Sequence, residues 1–181
     1  MALKSTIFKA DLQISDMNRN YYHNHLLTIA CHPSETHERM MMRILAFALN
    51  ASEYLSFANG LTSNDEADVW EKDLTGAICL WVMVGLPEEK QIKKACSLSE
   101  KVLVYAYGGL AADAWFTALT QKEKFNNLKI VSIAQDISNA LANLVQRTMK
   151  IQCSIQDATI WLSCENSSIE INLNTLKDFK N

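Results

Sequence analysis

Residues 77–84, AICLWVMV, form an unbroken run of eight apolar side chains, and this run constrains the chain more than any other stretch. On a strand, Ile78, Leu80, Val82 and Val84 point one way, and Ala77, Cys79, Trp81 and Met83 the other. A strand apolar on both faces is covered on both, which places this one inside a sheet. Gly85-Leu86-Pro87 ends the run, and residues 88–96 read as a helix with Glu88 and Glu89 in the first turn, where negative charge suits the helix dipole. Lys90, Lys93 and Lys94 make a short basic face able to touch phosphate. Glu89 and Lys93 are also i,i+4 partners, so ordinary surface pairing accounts for that face equally well.

The same pattern recurs downstream. Residues 101–107 (KVLVYAY) and 128–134 read as further strands, with a helix over 111–120 between them and another from Asp136 or Ser138 to Gln146. Buried, nearly apolar strands that alternate with helices imply parallel pairing with right-handed crossovers. Ahead of this centre, residues 5–14 and 21–30 predict an N-terminal hairpin about the turn 16–20. A long helix over 35–57 follows, capped by Ser34 and striped by Met41, Ile44, Leu45, Ala48 and Leu55. Residues 62–73 read as an acidic connection. After the centre, 150–155, 159–163 and 169–173 read as an antiparallel meander added to the core. The expected fold is a single α/β (α+β) domain over 1–181, a mixed sheet flanked by helices.

Composition excludes more than it selects. A net charge of −3 requires any nucleic-acid contact to use a local basic patch. The apolar runs are far shorter than a membrane span, and Met1-Ala2-Leu3-Lys4 begins no signal peptide, so a soluble, cytoplasmic protein is expected. Five cysteines with no CxxC pair suit buried free thiols. No GxSxG elbow, HExxH helix or Walker sequence occurs, and Gly108-Gly109 reads as a flexible strand-to-helix turn. Asp65, Glu66, Asp68, Glu71 and Asp73 lack the spacing of an EF-hand, so a solvated acidic loop is expected. His23 and His25 share a strand face, but His32 lies about 23 Å further along an extended chain, too far to join them on one metal ion.

Several segments resemble the YaeQ family of bacteria: MALKSTIFKADL (1–12), HPSETHERMMMRILAFAL (32–49), FANGL (57–61), Asp65-Glu66 with Trp70, LWVMVGLP with IKKA (80–95) and IQDATIWLS (155–163). The resemblance implies a variant of the PD-(D/E)XK, or restriction-endonuclease-like, fold. Such nucleases hold Mg²⁺ with acidic side chains and place a lysine beside it. The family's central strand reads like D-L-W-I-E-x-G-x-P, and here its two acidic positions match Cys79 and Met83. A thioether and a thiol suit a hard cation poorly. Glu35 or Glu38, Asp68, and Lys93 or Lys94 match family-like positions. The resemblance thus implies a degenerate metal site with no resident cofactor, and a non-catalytic binding or regulatory protein. Its partner would be a nucleic acid met through Lys90, Lys93 and Lys94, or another protein. The rival expectation is a Mg²⁺-dependent nuclease in which Glu38 and Asp68 hold the metal beside Lys93.

Overall fold

The alternating N-terminal segment folds as a hairpin of β1 (Thr6–Asp16) and β2 (Tyr21–Cys31), paired residue for residue around a four-residue turn. The turn follows from its residues. Buried Asp16 accepts the main-chain N–H groups of Asn18 and Arg19 and an ion pair from the Arg19 guanidinium at 2.6 Å, while Asn20 takes the left-handed conformation that asparagine tolerates. The computed structural model describes residues 4–58, 66–120 and 125–180. Among them are four helices and eleven strands, forming two mixed sheets.

Helix α1 (His37–Asn50) starts and stops inside the range its sequence predicts. The cap is Thr36, not Ser34: the Thr36 hydroxyl accepts the Arg39 N–H at 3.1 Å, whereas Ser34 is engaged by the His32 ring at 2.6 Å. Nor does the helix reach Phe57. Asn50 turns its amide back onto the Ala46 carbonyl, and β3 (Leu55–Phe57) follows, so Leu55 belongs to a strand. Part of the acidic segment is also strand, β4 (Val69–Lys72), pairing antiparallel with β3. Asn59, Gly60 and residues 61–65, including Asp65, lie outside the described residues.

The long apolar run becomes β5 (Ile78–Val84), followed by α2 (Glu89–Leu98), β6 (Ser99–Ala106), α3 (Leu110–Thr120), β7 (Leu128–Ser132) and α4 (Gln135–Ala142). The last third gives β8 (Thr148–Gln156), β9 (Thr159–Cys164), β10 (Ser167–Asn172) and a further strand, β11 (Asn174–Lys177), that periodicity does not foretell.

The described residues divide into two compact units, within α1 and at the start of α4. The first comprises residues 1–42 and 136–173. Its sheet runs β10-β9-β8-β1-β2, antiparallel except where β1 lies parallel to β8. The C-terminal meander therefore does not extend the parallel centre; it joins the hairpin in a sheet of its own. Leu12, Ile14, Ile29, Met149, Ile151, Cys153 and Leu162 fill one face of that sheet. The other face carries exposed Gln13, Tyr22, Asn24, Leu26, Lys150 and Gln152.

The second unit comprises residues 43–135 and 174–181, with sheet order β11-β7-β6-β5-β4-β3. β5, β6 and β7 are parallel, as buried strands linked by helices predict, and the antiparallel strands add at the edges. Trp81, Met83, Val102, Val104 and Ile130 from the strands pack with Ile92 and Ala95 of α2 and Ala112 and Leu119 of α3. Each such large apolar side chain contributes roughly 1.5–3 kcal/mol by leaving water.

Candidate functional site

The candidate residues of the second unit sit on and around β5. Asp68 stands just before β4, where its own N–H donates to the Val82 carbonyl at 2.9 Å. Its carboxylate reaches the next turn of the same ladder, and Oδ2 accepts the Val84 N–H at 2.7 Å. The neighbouring acids are engaged in a similar way. Glu71 accepts the Ser52 hydroxyl at 2.7 Å. Asp73 Oδ1 gathers the Thr75 hydroxyl and the N–H groups of Thr75 and Ala77, which shapes the turn into β5. The Thr75 hydroxyl in particular holds the Asp73 carboxyl below the usual carboxylate range. These carboxylates act as acceptors for nearby protein groups, so the described part of the acidic segment, residues 66–73, is more than a solvated loop.

Met83 is buried at 7% exposure in the apolar cluster, in register with Val104 of β6. Cys79 lies elsewhere on the strand. Opposite β4 the register slips between Glu71 and Lys72, whose partners are Leu80 and Ile78, so Cys79 is the extra residue of a bulge. Ile78 packs on the same cluster as Trp81, three positions away, which an unbroken alternation would forbid. The bulge thus removes the period-two reason for setting Cys79 and Met83 on one spot. Burial, then Glu100, Asp73 and Glu71, raise the Cys79 thiol above its ordinary value, which keeps it protonated and a poor ligand at neutral pH.

On α2, Lys90 and Lys93 are exposed and Lys94 half-buried, on the side away from buried Ile92 and Ala95. The helix starts where Gln91 Oε1 accepts the Glu88 N–H at 2.8 Å. The loop ends around the parallel strands are filled by protein groups. Trp115 donates its indole N–H to the Pro87 carbonyl at 2.8 Å, and a Cβ at Gly109, which has φ +58, would meet Gln135 at 3.7 Å.

Glu38 belongs to the first unit. It lies half-buried in the first turn of α1, where its Oε1 accepts the hydroxyl of fully buried Ser138 on α4 at 2.6 Å. Glu35 precedes it, with a side chain 2% exposed and ion-paired to Arg39 at 3.1 Å. Sequence reasoning pointed to Glu38 but not to Ser138, because a bond between residues a hundred apart leaves no local trace. It also missed a shallow concavity of about 300 Å³ on the open sheet face, lined by Asp11, Gln13, Lys150, Gln152, Ser163 and Glu165. The alternation that exposes these residues was visible; the register that sets them side by side was not.

His23 and His25 share a strand face, as their spacing predicts, with ring centroids 5.0 Å apart. His25 also stacks on Tyr21 and bonds its hydroxyl at 2.8 Å, while His32 is held by Ser34 and the His37 ring meets the edge of Phe8 at 5.6 Å. Among the described residues, no group of three His, Cys, Asp or Glu side chains is arranged to hold a metal ion. None of the described helices is long and apolar enough to cross a membrane.

Comparison with known proteins gives a consistent result. The chain is 40% identical over 174 residues to the YaeQ protein of Escherichia coli K12 and 41% identical to that of Salmonella typhi, in each case over 96% of both chains. The crystal structure of YaeQ from Xanthomonas axonopodis pv. citri matches with a TM-score of 0.88 at 40% identity, over 96% of this chain and 98% of that one. That of YaeQ from Pseudomonas syringae gives 0.91 at 32% identity, over 96% and 97%. The family model described as YaeQ protein matches residues 1–173, and the chain belongs to the YaeQ family.

Proposed function

We infer that this chain is a non-catalytic binding or regulatory protein, built on a restriction-endonuclease-like core whose metal site has been lost. The placement of Met83 carries the reading: the residue at the family's glutamate position is a packed core side chain. Asp68 supports it, because its Oδ2 is committed to a main-chain N–H. The partner is a nucleic acid whose phosphates meet Lys90, Lys93 and Lys94. A fold alone does not establish this, so the partner stands on the basic face and its test.

Filter binding of duplex, single-stranded and branched DNA and of RNA, across a salt series, tests it. Binding that weakens with salt is expected, and each Lys→Glu change at 90, 93 or 94 makes the negative slope of log K against log salt shallower by about one. No salt-dependent binding to any of the four ends the nucleic-acid reading. The rival is a Mg²⁺-dependent nuclease, with Asp68 among the carboxylates that would hold the metal. It requires cleavage that chelation abolishes and that Asp68→Ala removes. Mn²⁺ titration followed by amide broadening separates the two, since only the rival predicts a local paramagnetic effect in the natural protein.

A further inference from the structure

Four strands end the two sheets, and three of them are blunted against pairing. β3 has three residues, β11 has four with a register shift between Thr175 and Lys177, and β10 has six and carries Glu170. β2 is different. It runs eleven residues, YYHNHLLTIAC, without Lys, Arg, Asp, Glu or Pro, and pairs with β1 without a bulge. A long, straight, uncharged edge is a template for another strand, which proteins ordinarily block with charge, proline or a bulge.

The direction of its main-chain groups follows from two bonds. The Lys9 N–H donates to the Arg147 carbonyl at 3.0 Å and the Met17 N–H to the Ile155 carbonyl at 2.9 Å. Odd-numbered residues of β1 therefore address β8, and even-numbered ones address β2. Phe8, Ala10, Leu12 and Ile14 face Ile29, Leu27, His25 and His23. The alternate residues of β2, Tyr22, Asn24, Leu26 and Thr28, turn N–H and C=O away from the sheet. Among the described residues nothing bonds these groups. The same four side chains are exposed, Tyr22 at 61% and Leu26 at 81%.

We propose that β2 pairs antiparallel with β2 of a second copy of this chain, across a two-fold axis, so that two five-stranded sheets become one of ten. Charge and register select a second copy over a foreign strand. A partner with an acidic or basic segment finds no opposite Asp, Glu, Lys or Arg here, whereas β2 meets itself without setting any such side chain against its like. A two-fold at His25 sets Tyr22 against the partner's Thr28 and Asn24 against the partner's Leu26. Outward residues then meet only outward residues, and every unmet N–H and C=O of the four finds its complement.

Light scattering over a concentration series, with amide hydrogen exchange on ¹⁵N-labelled protein, tests the pairing. The expected mass is twice the 20.4 kDa of the chain. The amides of Tyr22, Asn24, Leu26 and Thr28 should exchange at least tenfold more slowly in concentrated than in dilute samples. Thr28→Pro removes an outward N–H without touching the β1 ladder, and Leu26→Lys places a charge at the centre of the edge. Each should return the protein to the single-chain mass and release the four amides. If Thr28→Pro unfolds, Leu26→Lys carries the test alone, because its side chain stands on the open face. A single-chain mass at every concentration overturns the proposal, as does a double mass that survives Leu26→Lys.

Discussion

Asp68 shows how little a residue type says about its task. Its sequence position beside other acids invites a cation, yet Oδ2 serves as an acceptor for Val84. Replacing Asp68 by alanine leaves that N–H unmet and should cost about 1–3 kcal/mol in urea unfolding, with the fold retained. Met83 gives the converse case. A carboxylate introduced by Met83→Glu enters an apolar cluster, so the variant should lose about 3 kcal/mol or more at neutral pH. Part of that loss should disappear at pH 4, where the buried acid is neutral. A loss relative to the natural protein that is equal at both pH values would mean that position 83 reaches water or a cation. The cysteines differ by burial too: Cys153 is pushed up to about 12, chiefly by desolvation, and Cys96 to about 11. In the native protein at pH 8 a maleimide should leave Cys153 unlabelled until urea unfolds the chain.

At the scale of elements, short-range chemistry decides boundaries that periodicity leaves loose. The stripe of α1 continues past Asn50 on paper, but caps rather than stripes define its ends, with Thr36 at one and the Asn50 amide at the other. Thr36→Ala should therefore cost about 1 kcal/mol of thermal or chemical stability, and Ser34→Ala much less. On β2, burial and then the neighbouring His23 lower the pKa of His25. A depressed imidazole pKa favours the neutral form in the folded state, so its contribution is present above the unfolded value near 6.5 and is lost as pH falls through the folded value. Urea midpoints should drop between pH 7 and pH 5, and His25→Asn should flatten that drop. An unchanged slope in the variant would assign the acid sensitivity to other groups.

For the whole molecule, the three parallel strands were legible because each carries a mainly apolar run and a helix follows each of the first two. The hairpin was legible from alternation about a turn. What was not legible is that the hairpin and the meander share one sheet, since β1 and β8 pair across most of the chain and local periodicity is silent about partners. The same silence hid Ser138 from Glu38 and hid β11 as a late addition beside β7. The candidate site was half readable. Cys79 and Met83 could be singled out in the apolar run from their residue types, while the bulge at Cys79 depends on a register that only pairing sets.

The parallel seam between β1 and β8 also sets an order of events during synthesis. Asn18, in the first turn, exchanges hydrogen bonds with Asp157, 139 residues later. A ribosome that has released the hairpin must make β3 to β7 before β8 arrives. Until then β1 presents to the cell a flank that the finished protein never shows. The middle of the chain has local partners and can settle early, whereas the hairpin, made before it, is completed after it. Stalled or truncated products ending before β8 should therefore aggregate or recruit chaperones through their oldest residues.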